Sequence, residues 1–147
     1  MRLDDRQREF LEGHHAAAMV TLWPDGTPHT VRVGIALVDG RIFSSGTQGR
    51  VRTGHLRRDP RSTLFVFDPR WNYLTLESRV TILDGPDAPE LNLRLFQEMQ
   101  RGMSPAPSPG HLMWNGQERS FEEFLRIMVD EQRLIYEFQV ERAYGLL

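Results

Sequence analysis

Five arginines, Arg50, Arg52, Arg57, Arg58 and Arg61, fall within twelve positions of a 147-residue chain whose formal net charge is −2. A positive cluster this dense needs a counter-charge, either carboxylates and solvent or a bound anion such as phosphate. Its setting favours the anion. Small residues (Ser44, Ser45, Gly46, Thr47 and Gly49) lead from an apolar run into a short segment of helical character. At such a junction, free backbone N–H groups and forked guanidinium groups converge on one point. Arg50 and Arg52, nearest the small-residue turn, are therefore candidate phosphate ligands. Arg57, Arg58 and Arg61 fit a solvated helix face with Asp59 as a partner, an arrangement worth roughly 0–1 kcal/mol per pair.

Other chemistries find less footing. There is no cysteine, which removes disulfides, thiolate metal sites and a cysteine nucleophile. All 18 basic residues are arginine, so a Schiff-base lysine is excluded as well. The carboxylates form no pair suited to acid–base hydrolysis, and no P-loop or Gly-rich dinucleotide fingerprint occurs. No histidine–carboxylate pattern has metal spacing; adjacent His14 and His15 point in different directions and suit packing or surface roles. His29 lies on the apolar side of an alternating run, where a lone histidine is more often a core residue than a catalyst. Trp71 and Tyr73 could stack on a ring, or serve as ordinary core or interface aromatics. No catalytic base is assigned.

The elements that must position the arginines can be read in order. Asp4 and Asp5 open a short helix over Leu3–Gly13. Ala16–Trp23 is a first strand, turned by Pro24-Asp25-Gly26. In TPHTVRVGIALV, His29, Val31, Val33, Ile35 and Leu37 alternate with Thr30, Arg32, Gly34 and Ala36. Asp39-Gly40 is a hairpin signal into RIFSSGT, the third strand, which delivers the chain to the arginine junction. Ser62–Phe67 reads as a strand covered on both faces, and Trp71–Leu83 as a long alternating strand. Leu91, Leu95, Phe96 and Met99 mark a helix, SPAPSPG a surface loop, and Ser120 with Glu123 a capping box for a helix over Phe121–Glu131. A strand with Leu134, Tyr136, Phe138 and Val140 on one side ends the chain. The sum is a mainly β (α+β) fold, a six-stranded antiparallel barrel with peripheral helices, organised as one domain over 1–147.

Composition sets further limits. Hydrophobic content of 39% and 26% charged residues are globular values. The near-neutral charge and the lack of aromatic residues among the arginines give no support to a nucleic-acid or membrane-surface partner. The polar start MRLDDRQREF and the absence of a long apolar run predict neither a signal peptide nor a membrane span, and hence a cytoplasmic protein.

Four stretches, MVTLWPDGTPHTVRVGIALVDGRI, GRVRTGHLRRDPRSTLFV, WNYLTLESRVTIL and IYEFQVERAYGL, together resemble the pyridoxamine 5′-phosphate oxidase-like split β-barrel proteins. More narrowly, they are similar to the branch of actinobacterial flavin and deazaflavin (coenzyme F-420) reductases that includes biliverdin-reducing members. The resemblance implies an FMN-binding split barrel acting as a homodimer, with cofactor sites in clefts at the subunit interface. It puts Arg50 and Arg52 at the cofactor phosphate, with Thr47 and Ser45 as hydroxyl donors beside it. The stretch from His29 through Val31 to Val33 would approach the ring system, with Trp71 and Asn72 as further contacts. Two positions depart from the family pattern: Arg52 stands where lysine is frequent, and His55 where asparagine is frequent. Arginine still binds phosphate, and bidentately, whereas the bulkier His55 alters hydrogen bonding at that corner. The implied activity is an oxidoreductase, with F-420 as the favoured cofactor, passing hydride to a planar, electron-poor small-molecule substrate. The alternatives are an FMN-binding enzyme of the same fold and a non-catalytic cofactor carrier.

Overall fold

The computed structural model describes residues 2–147. Its order is α1 (Asp5–Gly13), β1 (Ala16–Leu22), β2 (Pro28–Val38), β3 (Arg41–Thr47), α2 (Val51–Arg58), β4 (Arg61–Phe67), β5 (Tyr73–Leu83), α3 (Ala88–Met99), β6 (His111–Trp114), β7 (Gln117–Ser120), α4 (Phe121–Asp130) and β8 (Arg133–Leu146). Six strands close into a barrel in the order β1-β2-β3-β8-β5-β4, every neighbouring pair antiparallel. The expected six-stranded barrel with helices at its periphery is thus the fold observed.

Strand alternation explains the interior. Met19, Val33, Ile35, Ile42, Leu64, Val66, Leu74, Leu76, Leu134 and Tyr136 point inward and form one core. In β8 the parity changes partway. Its pairing with β5 shifts register between Glu77 and Ser78, passing over Glu141, so that Val140 and Ala143 both pack on the core. Outside the barrel, α3 covers β2, β3 and β8 through Leu95 on Ala36, Val38, Phe43 and Ile135. On α3 rests α4, through Leu93, Leu112, Phe124 and Met128.

Turn chemistry fixes the hairpins. Asp39 and Gly40 both have positive φ, 52° and 75°, as a two-residue hairpin turn demands. Both capping boxes form, Asp4 with Gln7 and Ser120 with Glu123. One expectation needs correction. β4 is not covered on both faces: Phe65 and Phe67 stay 36% and 58% exposed, because the helices lie over β2, β3 and β8 and leave the outside of β4 bare. Between α3 and α4, SPAPSPG is loop as expected, but the segment as a whole is not. It contains the β6–β7 hairpin, turned at Asn115 (φ 49°) and Gly116 (φ 75°). None of the described helices is long and apolar enough to cross a membrane.

Candidate functional site: the corner between β3 and α2

Gly46 is the first requirement of this corner. A Cβ placed there would lie 2.2 Å from the Tyr136 hydroxyl oxygen, so only glycine lets β3 pass the buried tyrosine of β8. That hydroxyl meets Thr53 Oγ1 at 2.5 Å, while Thr53 Oγ1 donates to the Thr47 carbonyl at 2.7 Å. A threonine hydroxyl has one proton, so the tyrosine is the donor in their mutual bond. Burial pushes the Tyr136 phenol above its usual range, which keeps that proton in place. The chain Tyr136–Thr53–Thr47 thereby ties the first turn of α2 to the end of β3.

Two arginines are displayed on this scaffold. Arg50 occupies the N-cap of α2, exposed, and supplies no side-chain cap, so the first N–H groups of the helix have no side-chain acceptor there. Arg52 is half-buried. Its Nη2 donates to the Ser45 carbonyl at 3.2 Å, its guanidinium lies 5.6 Å from the Tyr136 ring centre, and its Nε is buried with no partner. The other arginines of the cluster do find partners, as their surface reading anticipates. Arg57 meets Gln48 and Asp84, Arg61 meets Asp59, and Arg58 donates to the Leu22 carbonyl. Arg52 alone is drawn inward without a carboxylate. Burial, then the nearby positive charges of Arg50 and Arg133, hold it below the usual arginine range, with Tyr136 acting in the opposite sense. Arginine does not shed its proton in proteins, so this is a partly desolvated cation with donors to spare.

The remaining candidates are distributed more widely. Ser45 lies beside the corner, but its hydroxyl donates to Asn92 Oδ1 at 2.5 Å; Asn92 in turn donates to Ala88 and Leu134 carbonyls and pins α3 there. Thr47 ends β3, half-buried. His55 is buried where α2 packs on β1, with Nδ1 2.8 Å from Thr21 Oγ1 and Nε2 without a partner. His29 and Trp23 pack edge-on against it, at 5.1 Å and 4.3 Å between ring centres. Burial lowers the His55 pKa, with the charges of His29 and Arg58 acting the same way. Val33 belongs to the barrel core. Val31 borders an open apolar groove of about 570 Å³, between Ala16 and Ala18 on one side and Arg32 and Phe67 on others. Trp71 is 89% exposed in the β4–β5 turn, and Asn72 donates to Asp68 at 2.8 Å. Arg50 and Arg52 do not line that groove. The structure therefore gathers Ser45, Thr47, Arg50 and Arg52 at one corner, pairs His29 with His55 where α2 meets β1, packs Val31 against the barrel core, and leaves Trp71 and Asn72 in the β4–β5 turn. Among the described residues no group of three or more histidines and carboxylates could hold a metal ion.

Sequence reasoning missed Tyr136, Thr53 and Asn92. Tyr136 and Asn92 sit 83 and 47 positions from the residues they touch here, and nothing local announces either contact.

A closed six-stranded antiparallel barrel with helices at its periphery defines a class of small split-barrel proteins. The particular family follows from the sequence itself: the family model for pyridoxamine 5′-phosphate oxidase matches residues 3–145, and the chain belongs to that family. Solved structures share the fold at low identity. A conserved hypothetical protein from Mycobacterium tuberculosis is 17% identical, superposes with a TM-score of 0.76, and aligns over 99% of this chain and 85% of its own. An F420 reductase is 17% identical, with a TM-score of 0.68 over 97% and 98% of the two chains. A heme storage protein from Vibrio cholerae is 12% identical, with a TM-score of 0.64 over 98% and 94%.

Proposed function

We propose that this chain is an oxidoreductase that holds a phosphate-bearing flavin-type cofactor, coenzyme F-420 in preference to FMN, and reduces a planar, electron-poor small molecule. One observation carries the reading: Arg52 is a half-buried guanidinium with an unpartnered Nε and no carboxylate. A phosphate would satisfy it, and the residues present fit that group. Arg52 and Arg50 would supply the charge, and the uncapped N–H groups at the start of α2 would supply aligned donors. The Tyr136–Thr53–Thr47 chain keeps this corner rigid, which lowers the ordering cost of binding. The apolar groove beside Val31 and Phe67 offers a water-poor surface for a flat ring. The cofactor, when bound, supplies the hydride chemistry, and the chain's residues bind, orient and exclude water. The choice of F-420 draws on the sequence resemblance, and the fold shared with an F420 reductase is in keeping with it.

The partner surface belongs to the same reading. Phe65, Phe67, Trp71, Tyr144 and Leu146 are exposed on adjoining strands and turns of one sheet face. A second copy of the chain covering that face would close the groove into an interfacial cleft.

The deciding measurement is a fluorescence titration of the natural protein, Arg50→Ala and Arg52→Ala with F-420 and with FMN. The expected result is micromolar affinity for at least one of them, weakened by about 1–3 kcal/mol for each arginine removed. Unchanged binding in both variants would overturn the site. Turnover of reduced F-420 with quinones, tetrapyrroles and nitro compounds separates an enzyme from a carrier, and binding without turnover would favour the carrier.

A further inference from the structure

Arg133 stands at the start of β8 as the direct cross-strand partner of Thr47. Direct partners in an antiparallel pair project from the same face of the sheet, so the Arg133 side chain leaves the barrel beside the end of β3. A backbone bond from Gln48 N–H to the Gln132 carbonyl, 3.2 Å long, ties the same two segments together one step further on. Arg133 thus borders the corner that displays Arg50 and Arg52, and its charge is one of those that depress the Arg52 pKa.

The side chain is held rather than waving in solvent. It is 14% exposed, and its guanidinium lies 5.1 Å from the Trp114 ring centre. Trp114 is itself wedged edge-on against Phe96 and Phe124. Glu131 occupies one edge of the guanidinium through a single oxygen, 2.9 Å from Nε and 2.8 Å from Nη2. An arginine has five N–H donors, so the Nη1 edge is left over. Among the described residues nothing takes it.

We propose that Arg133 is a third anion-binding arginine of this corner, suiting the site to a ligand that carries a second negative group beside its phosphate. The inference rests on the reading of Arg52 as a phosphate ligand. Glu131 then has a definite role. It holds the Arg133 fork in place at the cost of a negative charge near the incoming anion, so its removal tightens binding. If Arg133 served only to pair with Glu131 and pack on Trp114, neither residue would influence anion affinity.

The test is calorimetric titration of the full chain with inorganic phosphate and with pyrophosphate, for the natural protein, Arg133→Gln, Glu131→Gln and Arg52→Gln. Arg133→Gln should weaken pyrophosphate about ten-fold and phosphate clearly less, while Glu131→Gln should tighten pyrophosphate about three-fold. Arg133→Lys, which keeps the charge and loses the fork, should fall between the natural protein and Arg133→Gln, and guards against misreading a folding defect as lost binding. Pyrophosphate affinity unchanged in both Arg133→Gln and Glu131→Gln, with Arg52→Gln still weakened, would overturn the role of Arg133 and leave the phosphate site standing. Failure of the natural protein to bind either probe, or indifference to Arg52→Gln, would overturn both.

Discussion

Arg52 is stabilised by too little for where it sits. Its burial removes water from a full positive charge, and the structure returns one 3.2 Å bond to a carbonyl and a stack on Tyr136. A residue selected for stability alone would be apolar here, because unpaired buried charge costs more than hydrophobic packing of the same volume. Arg52→Met is therefore expected to raise the melting temperature of the free protein while weakening anion binding. A gain near 1 kcal/mol would appear as about 2–4 °C in a thermal melt of a chain this size. A lower melting temperature would mean that the Ser45 carbonyl bond outweighs the desolvation. Residue types at the corner were legible in the sequence, in the density of arginine and the small residues before it. Which arginine lacks a partner was not, because the partners of Arg57 and Arg58, Asp84 and the Leu22 carbonyl, come from afar. The Ser45 hydroxyl was similarly hidden: its acceptor, Asn92, is on α3.

Helix α2 turns Arg52 toward the end of β3 and is seated on β1 by His55, through Thr21, with His29 of β2, Arg58 of α2 and Trp23 around it. Burial lowers the His55 pKa, so the unfolded chain binds a proton that the folded chain refuses. Stability contributed by this seat is whole above histidine's ordinary value of about 6.5 and declines as pH falls below it. Melting temperatures of the natural protein should thus drop between about pH 7.5 and 5.5, and His55→Asn should show a smaller drop. Parallel curves would exonerate His55. At this scale most of the barrel was readable, since period-two alternation and the Asp39-Gly40 turn need no distant information. The β6–β7 hairpin escaped although Asn115-Gly116 signals it, because Gln117, Glu118 and Arg119 show no alternation to mark a strand. The coverage of β4 was misjudged for the opposite reason: its apolar run is genuine, but Phe65 and Phe67 face outward.

Those two phenylalanines, with Trp71, Tyr144 and Leu146, give the whole molecule an exposed apolar side. Phe67→Glu is expected to convert the proposed dimer to monomer in sedimentation velocity, with cofactor affinity falling alongside it if the cleft is shared. A monomeric natural protein would remove the dimer and leave the corner chemistry untouched. The strand order carries one more consequence. β8 follows every other strand in the chain, yet it is inserted between β3 and β5, pairing with each along much of its length. During synthesis the edges of β3 and β5 must therefore wait, unpaired, until the ribosome has released the final strand, and so must the corner that Tyr136 and Arg133 complete. The interval before that last strand arrives is when a nascent chain of this kind is most open to joining the wrong neighbour.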